Sequence, residues 1–304
     1  MKLLEQVRAG VDEPRKVLRA VNQQYDRRVR HSGIDRTRVF EEDWDNLLLL
    51  DACRFDLAAA VFDTEVSYRW SGGSNSEEFL EFNLRDAAAD DTVWVTANPH
   101  VSKHADRIFE IVELWDTHWD EELQTVPPAA VLAATLQAAE QYPEKRLIAH
   151  FMQPHYPFIG ETGRERLPPH SSFTGNGLRT NGRAHEDIWT QLRTGEVSRE
   201  LVETAYRENL ELVVPYAEEL ARSLDGSTVI SSDHGNVFGH DIGPIPMRLF
   251  GHPYGFTVEE LIKVPWVKYP DTERRTITAG EISTAAPEND EKRGERLRQL
   301  GYLE

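Results

Sequence analysis

The chain has a single cysteine, Cys53, among its 304 residues. That excludes an internal disulfide and a cysteine-built zinc site. Long apolar runs are missing too. The longest near the start, LLLL at 47–50, is strand length, whereas a membrane-spanning helix needs about 20 apolar residues. The opening MKLLEQVRAGVDEPRK has charges where a signal peptide needs an apolar centre, so a cytoplasmic location is expected. Lysine is scarce, with seven Lys against twenty-seven Arg, and the formal net charge is −18. A nucleic-acid partner wants a basic face, so none is expected here. The local cluster YDRRVRH (25–31) reads as a solvated helix end. Excess carboxylate with little lysine suits a salt-rich cytoplasm, where screening suppresses self-repulsion. A halophilic source and an ordinary acidic protein from a GC-rich genome both fit. Internal repeats and low-complexity linkers are also absent.

What is present reads as alternating strands and helices. Residues 1–24 carry Leu3, Leu4, Val7, Val11, Val17, Leu18 and Val21 on one side of a helix. With the residues up to 40 they form an N-terminal helical extension, and 41–304 form the main domain. DNLLLLDA (45–52) is apolar without alternation, as in a strand covered on both faces. A helix from about Arg54 to Val61 should follow. TVWVTA (92–97), RLIAHFM (146–152), STVISS (227–232) and LIKVPWVKY (261–269) are further strand candidates. PAAVLAATLQAAEQY (128–142) and residues 198–224 carry helical periodicity. This order predicts a mostly parallel sheet with helices on both faces. The polar stretch 158–187, with its glycines and prolines, has the length of a lid or binding loop.

In such sheets ligands bind beyond the carboxyl ends of the strands. There the first buried strand places Asp51, and strand 227–232 runs into Asp233 and His234. His155 follows strand 146–152, and His252 lies in GHPYG. Two carboxylates and three imidazoles at one rim suit Zn²⁺, Mn²⁺ or Mg²⁺. Each has a plainer reading: Asp51 as a helix cap, His155 and His252 as satisfied loop histidines. His150 lies within a strand and is assigned to the core. His104, His170, His185 and His240 are read as surface residues. In WSGGSNSEEFLEFNL (70–84), Ser74 and Glu77 fit a capping box. Ser76 then falls in the first helical turn, where unpaired N–H groups favour an anion. It is either a nucleophile or simply an early helical serine. Cys53 is the alternative nucleophile, or a small buried side chain.

In order, NLLLLDACRFD, SNSEEFL, HFMQPHYPF, SDHGNVFG, GHPYGFTVEELIKVPWVKY and RLRQLGYLE resemble the sulfatase-like branch of the alkaline phosphatase superfamily, in a form suggestive of halophilic archaea. The resemblance spans residues 45–304 and implies a three-layer α/β/α sandwich with a central, mostly parallel sheet. It implies cleavage or transfer of small-molecule phosphate or sulfate esters at divalent metal (Zn, Mn, Mg or Ca). Asp51, Asp233 and His234 match metal ligands. Ser76 matches the attacking residue that also touches metal, and His155 and His252 match histidines that hold the anion or a second metal. Arg54 is expected to help neutralise the anion. Neither Cys53, followed by RFDL, nor Ser76, followed by EEFL, fits the Cys/Ser-x-Pro-x-Arg pattern that matures to formylglycine. Gln153 stands where two-metal members carry a carboxylate, which implies one firmly held ion and a second only possible. A sulfatase using Cys53, and a non-catalytic anion- or partner-binding protein on the same fold, are the competing readings.

Overall fold

A computed structural model describes residues 14–26, 28, 33–168, 187–269, 273–282 and 290–302. The start of the first expected helix, most of the 158–187 excursion, His170 and His185 lie outside them. Among the described residues there are nine strands: β1 (Asn46–Leu50), β2 (Ser67–Trp70), β3 (Ala89–Thr96), β4 (Ile108–Glu113), β5 (Arg146–Phe151), β6 (Thr228–Ser231), β7 (Val237–Ile242), β8 (Met247–Gly251) and β9 (Lys263–Lys268). The helices that matter below are α1 (Pro14–Tyr25), α2 (Phe55–Val61), α3 (Ser76–Leu84), α4 (Pro128–Gln141), α5 (Ile188–Thr194), α6 (Arg199–Ser223) and α7 (Asp290–Gln299).

Seven strands form one sheet in the order β2-β9-β6-β1-β5-β3-β4, and β7 and β8 pair as a separate hairpin. The run β6-β1-β5-β3-β4 is parallel throughout. Strand β9 is antiparallel to both neighbours, β2 and β6. Between β6 and β9 the chain passes through the β7–β8 hairpin and a four-residue helix, Glu259–Ile262.

Because the central strands are covered twice, alternate side chains feed two different cores. Leu48 and Leu50, Val93 and Val95, Leu147 and Ala149, and Ile230 pack with Val131 and Ala138 of α4, Leu210 and Val213 of α6, and Ala58 of α2. The opposite parity, Leu47, Leu49, Trp94, Ile148 and Val229, packs on Phe79, Leu80 and Leu84 of α3 and on Val39, Trp44 and Val101. Each buried Leu or Val contributes about 1.5–3 kcal/mol, so both layers are firmly held. This is the three-layer α/β/α sandwich the motifs imply. The edge strands β2 and β4 and the β7–β8 hairpin carry weaker signals in the sequence, since their residues are half-buried or exposed.

Candidate active site

The parallel strands β1, β3, β5 and β6 all end at one rim. Strand parity then decides which side chains meet. Asp51 continues the Leu47–Leu49 row, His150 follows Ile148, Asn98 follows Trp94 and Thr96, and Asp233 follows Val229 and Ser231. All four point to the layer that holds α3, and all are fully buried. His150, assigned to the core from the sequence, therefore belongs to this cluster: its Nε2 is 3.3 Å from Asp51 Oδ2 and 3.8 Å from Asp233 Oδ2. Register confirms its level, since it pairs with Leu49 on one side and Thr96 on the other.

Helix α3 delivers Ser76. Its cap is not the expected Ser74–Glu77 pair. Asn75 is the N-cap and accepts from the Glu78 N–H at 2.9 Å. Glu78 reaches back to the Ser74 N–H and hydroxyl at 3.1 and 2.5 Å. Gly73 lets this loop lie on the helix, because a Cβ there would sit 2.3 Å from the Phe79 nitrogen. Ser76 is thus the first helical residue, and its Oγ is 2.7 Å from Asp233 Oδ2, 3.4 Å from His234 Nε2 and 3.5 Å from Asp51 Oδ2. The Asn98 amide donates to Ser76 Oγ at 2.9 Å and to Asp51 Oδ2 at 2.6 Å.

The imidazoles are oriented by backbone carbonyls. His234 Nδ1 faces Gly235 O at 2.7 Å, and His155 Nδ1 faces Tyr156 O at 2.5 Å. Donation there turns each Nε2 lone pair inward, a common arrangement of ligating histidines. His234 Nε2 lies 3.6 Å from Asp51 Oδ1 and 3.5 Å from Asp233 Oδ2. His155 and His252 meet through their Nε2 atoms at 2.9 Å. The His252 and His234 rings are 4.8 Å apart, which links the pair to the carboxylate cluster.

Charge makes this arrangement costly as it stands. Among the described residues no Lys or Arg pairs with Asp51 or Asp233; only His150 and His234 lie within ion-pair distance. Two buried carboxylates without a cation cost several kcal/mol each. Burial alone would raise the Asp51 carboxyl, yet the close approach of His150 and the fields of His155 and His234 hold it below the usual carboxylate range. Burial lowers His155, and burial with His234 and His155 nearby pushes His252 well down. Both nitrogens of His150 lack a hydrogen-bond partner. Asp51, His150 and Asp233 each offer a ligand atom within 4.8 Å of the others. Two carboxylates with imidazole nitrogen suit a divalent ion such as Zn²⁺ or Mn²⁺. The residues present fit a cation.

Other candidates lie elsewhere. The Arg54 guanidinium is spent on Asp56 at 2.8 and 2.6 Å and on the Asn236 carbonyl at 3.4 Å. Cys53 lies in the opposite, α4–α6 core, and burial pushes its thiol up. Ala52, at φ 60°, breaks the strand alternation that would have aimed Cys53 beside Asp51. The Gln153 amide donates to Val126 O at 3.3 Å. His240 is paired with Glu260 at 3.0 Å. Sequence reasoning missed Asn98 and Tyr302. Asn98 and His150 sit in or just past strands buried on both faces, where the apolar run does not show which parity faces the site. Tyr302 lies in the closing RLRQLGYLE motif, where nothing local marks it as a site residue. Its hydroxyl donates to both Asp51 oxygens at 2.9 Å and lies 3.3 Å from Ser76 Oγ, while burial and the two carboxylates raise its phenol well above the ordinary range.

No family model matches the chain, and no curated protein matches it. Several solved structures are similar to it. One is the integral membrane lipooligosaccharide phosphoethanolamine transferase A (EptA) from Neisseria meningitidis, at 13% identity and TM-score 0.46, covering 74% of this chain and 47% of that one. This chain thus spans about half the length of that protein. Another is the C-terminal periplasmic domain of phosphoethanolamine transferase EptC from Campylobacter jejuni, at 18% identity and TM-score 0.44, covering 74% of this chain and 78% of that one. A third is the C-terminal periplasmic domain of EcEptC from Escherichia coli in complex with Zn, at 13% identity and TM-score 0.46, covering 75% and 72%.

Proposed function

We propose that this protein is a metal-dependent enzyme that cleaves or transfers small-molecule phosphate or sulfate esters with Ser76 as its nucleophile. One observation carries the reading: a serine at a helix N-terminus lies within 3.5 Å of two buried carboxylates and an imidazole that, among the described residues, lack any Lys or Arg partner. Asp51, His150, Asp233 and His234 would hold the ion. A divalent cation there supplies charge neutralisation and lowers the pKa of a neighbouring hydroxyl.

The remaining work falls to the chain's own groups. Ser76 Oγ, held by Asp233 and the Asn98 amide, gives up its proton to solvent and attacks phosphorus or sulfur in line, while the bond to the ester oxygen breaks and that oxygen leaves, taking a proton from water. The α3 N-terminus favours the negative charge that gathers beside Ser76. His155 and His252 hold the equatorial oxygens when a proton is taken up with the anion and their Nε2 atoms become N–H donors, an electrostatic role worth several kcal/mol in such sites. The ester formed on Ser76 then passes to water or to an acceptor alcohol. The burial of Cys53 in the other core speaks against the cysteine-based sulfatase. The composition supports a cytoplasmic, high-salt setting, and no described helix is long and apolar enough to cross a membrane.

Ser76→Ala tests the mechanism. With Mn²⁺ and aryl phosphate or aryl sulfate, the variant is expected to keep its circular dichroism and lose turnover by a factor of about 10³ or more. Intact-mass analysis of the quenched wild type should show the added phosphoryl or sulfuryl group, absent in the variant. Unchanged turnover in Ser76→Ala would remove Ser76 from the reaction.

A further inference from the structure

We propose that Tyr302 is a positioning residue of this site, holding Asp51 and Ser76 in the arrangement that binds the cation and aims the nucleophile. The inference rests on the metal-dependent reading above and assigns a part to a segment far from the strand rim in sequence.

The route by which Tyr302 arrives is built in detail. Helix α7 docks through Arg296, which bonds Glu121 at 2.9 Å, and through Lys292, which bonds the Asp116 carbonyl at 2.9 Å. Leu300 is fully buried in the α4–α6 core. The helix then closes with a Schellman motif: Tyr302 N–H donates to Leu297 O at 2.9 Å, and Gly301 N–H to Arg298 O at 3.0 Å. Gly301 sits at φ 78°, a left-handed turn that glycine adopts without a Cβ penalty. This reversal turns the Tyr302 ring into the site.

Once there, each part of the side chain is used. The ring stacks on His155 with centroids 4.6 Å apart and planes at 10°. It meets His100 edge-on at 4.8 Å. The hydroxyl bridges both Asp51 oxygens at 2.9 Å, accepts from the Asn98 amide at 3.2 Å and reaches Ser76 Oγ at 3.3 Å. A side chain needed only to cap the core would gain nothing from a buried hydroxyl, whose desolvation must be offset by bonds. The hydroxyl instead orients a carboxylate that offers itself to a cation, and such outer-shell partners commonly tune affinity and activity about 10–100-fold.

Tyr302→Phe isolates the hydroxyl, because it keeps the ring contacts with His155 and His100. Titration calorimetry with Mn²⁺ alone should show affinity about 10–100-fold below wild type. With p-nitrophenyl phosphate, kcat should fall by a similar factor while KM changes little. The circular dichroism in EDTA should match the wild type. A Tyr302→Phe protein that binds Mn²⁺ and turns over like wild type would reduce Tyr302 to a structural cap and overturn the inference alone. A wild type that binds neither Mn²⁺ nor Zn²⁺ would remove the metal reading and this inference with it.

Discussion

Asp233 shows how one residue can be both the costliest and the most useful in a site. Its Oδ1 accepts from the backbone of Ala52 at 3.1 Å and of His234 at 2.9 Å, and its Oδ2 takes the Ser76 hydroxyl. Those bonds fix the carboxylate but leave its charge beside that of Asp51 unneutralised. Replacing it with Asn keeps the shape and removes the charge. Asp233→Asn is therefore expected to melt higher than wild type in EDTA. It should also lose the stabilisation that Mn²⁺ gives the wild type, about 2.7 kcal/mol at a hundredfold excess over Kd. Differential scanning fluorimetry with and without Mn²⁺ measures both. A variant that melts lower in EDTA and still responds to Mn²⁺ would mean that Asp233 is a structural acceptor only.

At the scale of elements, the site depends on parity and on a few docking contacts. The strand rim supplies Asp51, Asn98, His150 and Asp233 from one face, and α3 closes over them because Phe79 and Leu80 pack in the same layer. The β7–β8 hairpin carries His252 just past its end, so its attachment bears on the His155–His252 pair. Part of that attachment is His240 of β7 against Glu260 in the four-residue helix before β9. The His240 hydrogen bond, which outweighs partial burial, holds the Glu260 carboxyl down at about 2 against an ordinary 4.5. A carboxyl depressed in the folded state adds stability above its unfolded pKa, near 4.5, and loses it as pH falls toward about 2. Glu260→Gln should therefore flatten the pH dependence of unfolding between about 4.5 and 2. Urea midpoints across that range give the measurement; parallel curves for both proteins would show that the pair adds no pH-linked stability.

The whole molecule carries a formal charge of −18, and much of its basic complement is already used locally. Pairs such as Arg199–Glu203, Arg207–Glu211 and Arg222–Glu218 on α6 are exposed and individually weak, at roughly 0.3–0.5 kcal/mol. Net repulsion remains. Raising KCl from 0.1 to 1 M shortens the screening length from about 10 Å to about 3 Å, which relieves that repulsion more than it weakens the short pairs. The melting temperature is expected to rise by several degrees across this range. A fall with added KCl would show that local pairs dominate and would remove the argument for a salt-rich setting.

Composition and periodicity determined the layered architecture, because covered parallel strands must be apolar throughout and crossover helices must show a 3.6-residue pattern. They also marked Asp51, Ser76, His155, Asp233, His234 and His252, since polar residues at strand ends and helix starts stand out against apolar neighbours. Tertiary structure alone decided that His150 leaves the core and that Arg54 is spent on Asp56. It also decided that Cys53 faces the other layer and that Tyr302 enters the site. The reason is physical. A strand buried on both faces hides its parity from any reading of hydrophobicity. A single left-handed residue, Ala52 or Gly301, redirects everything after it. And which distant segments share a rim follows only from the order of strands in the sheet.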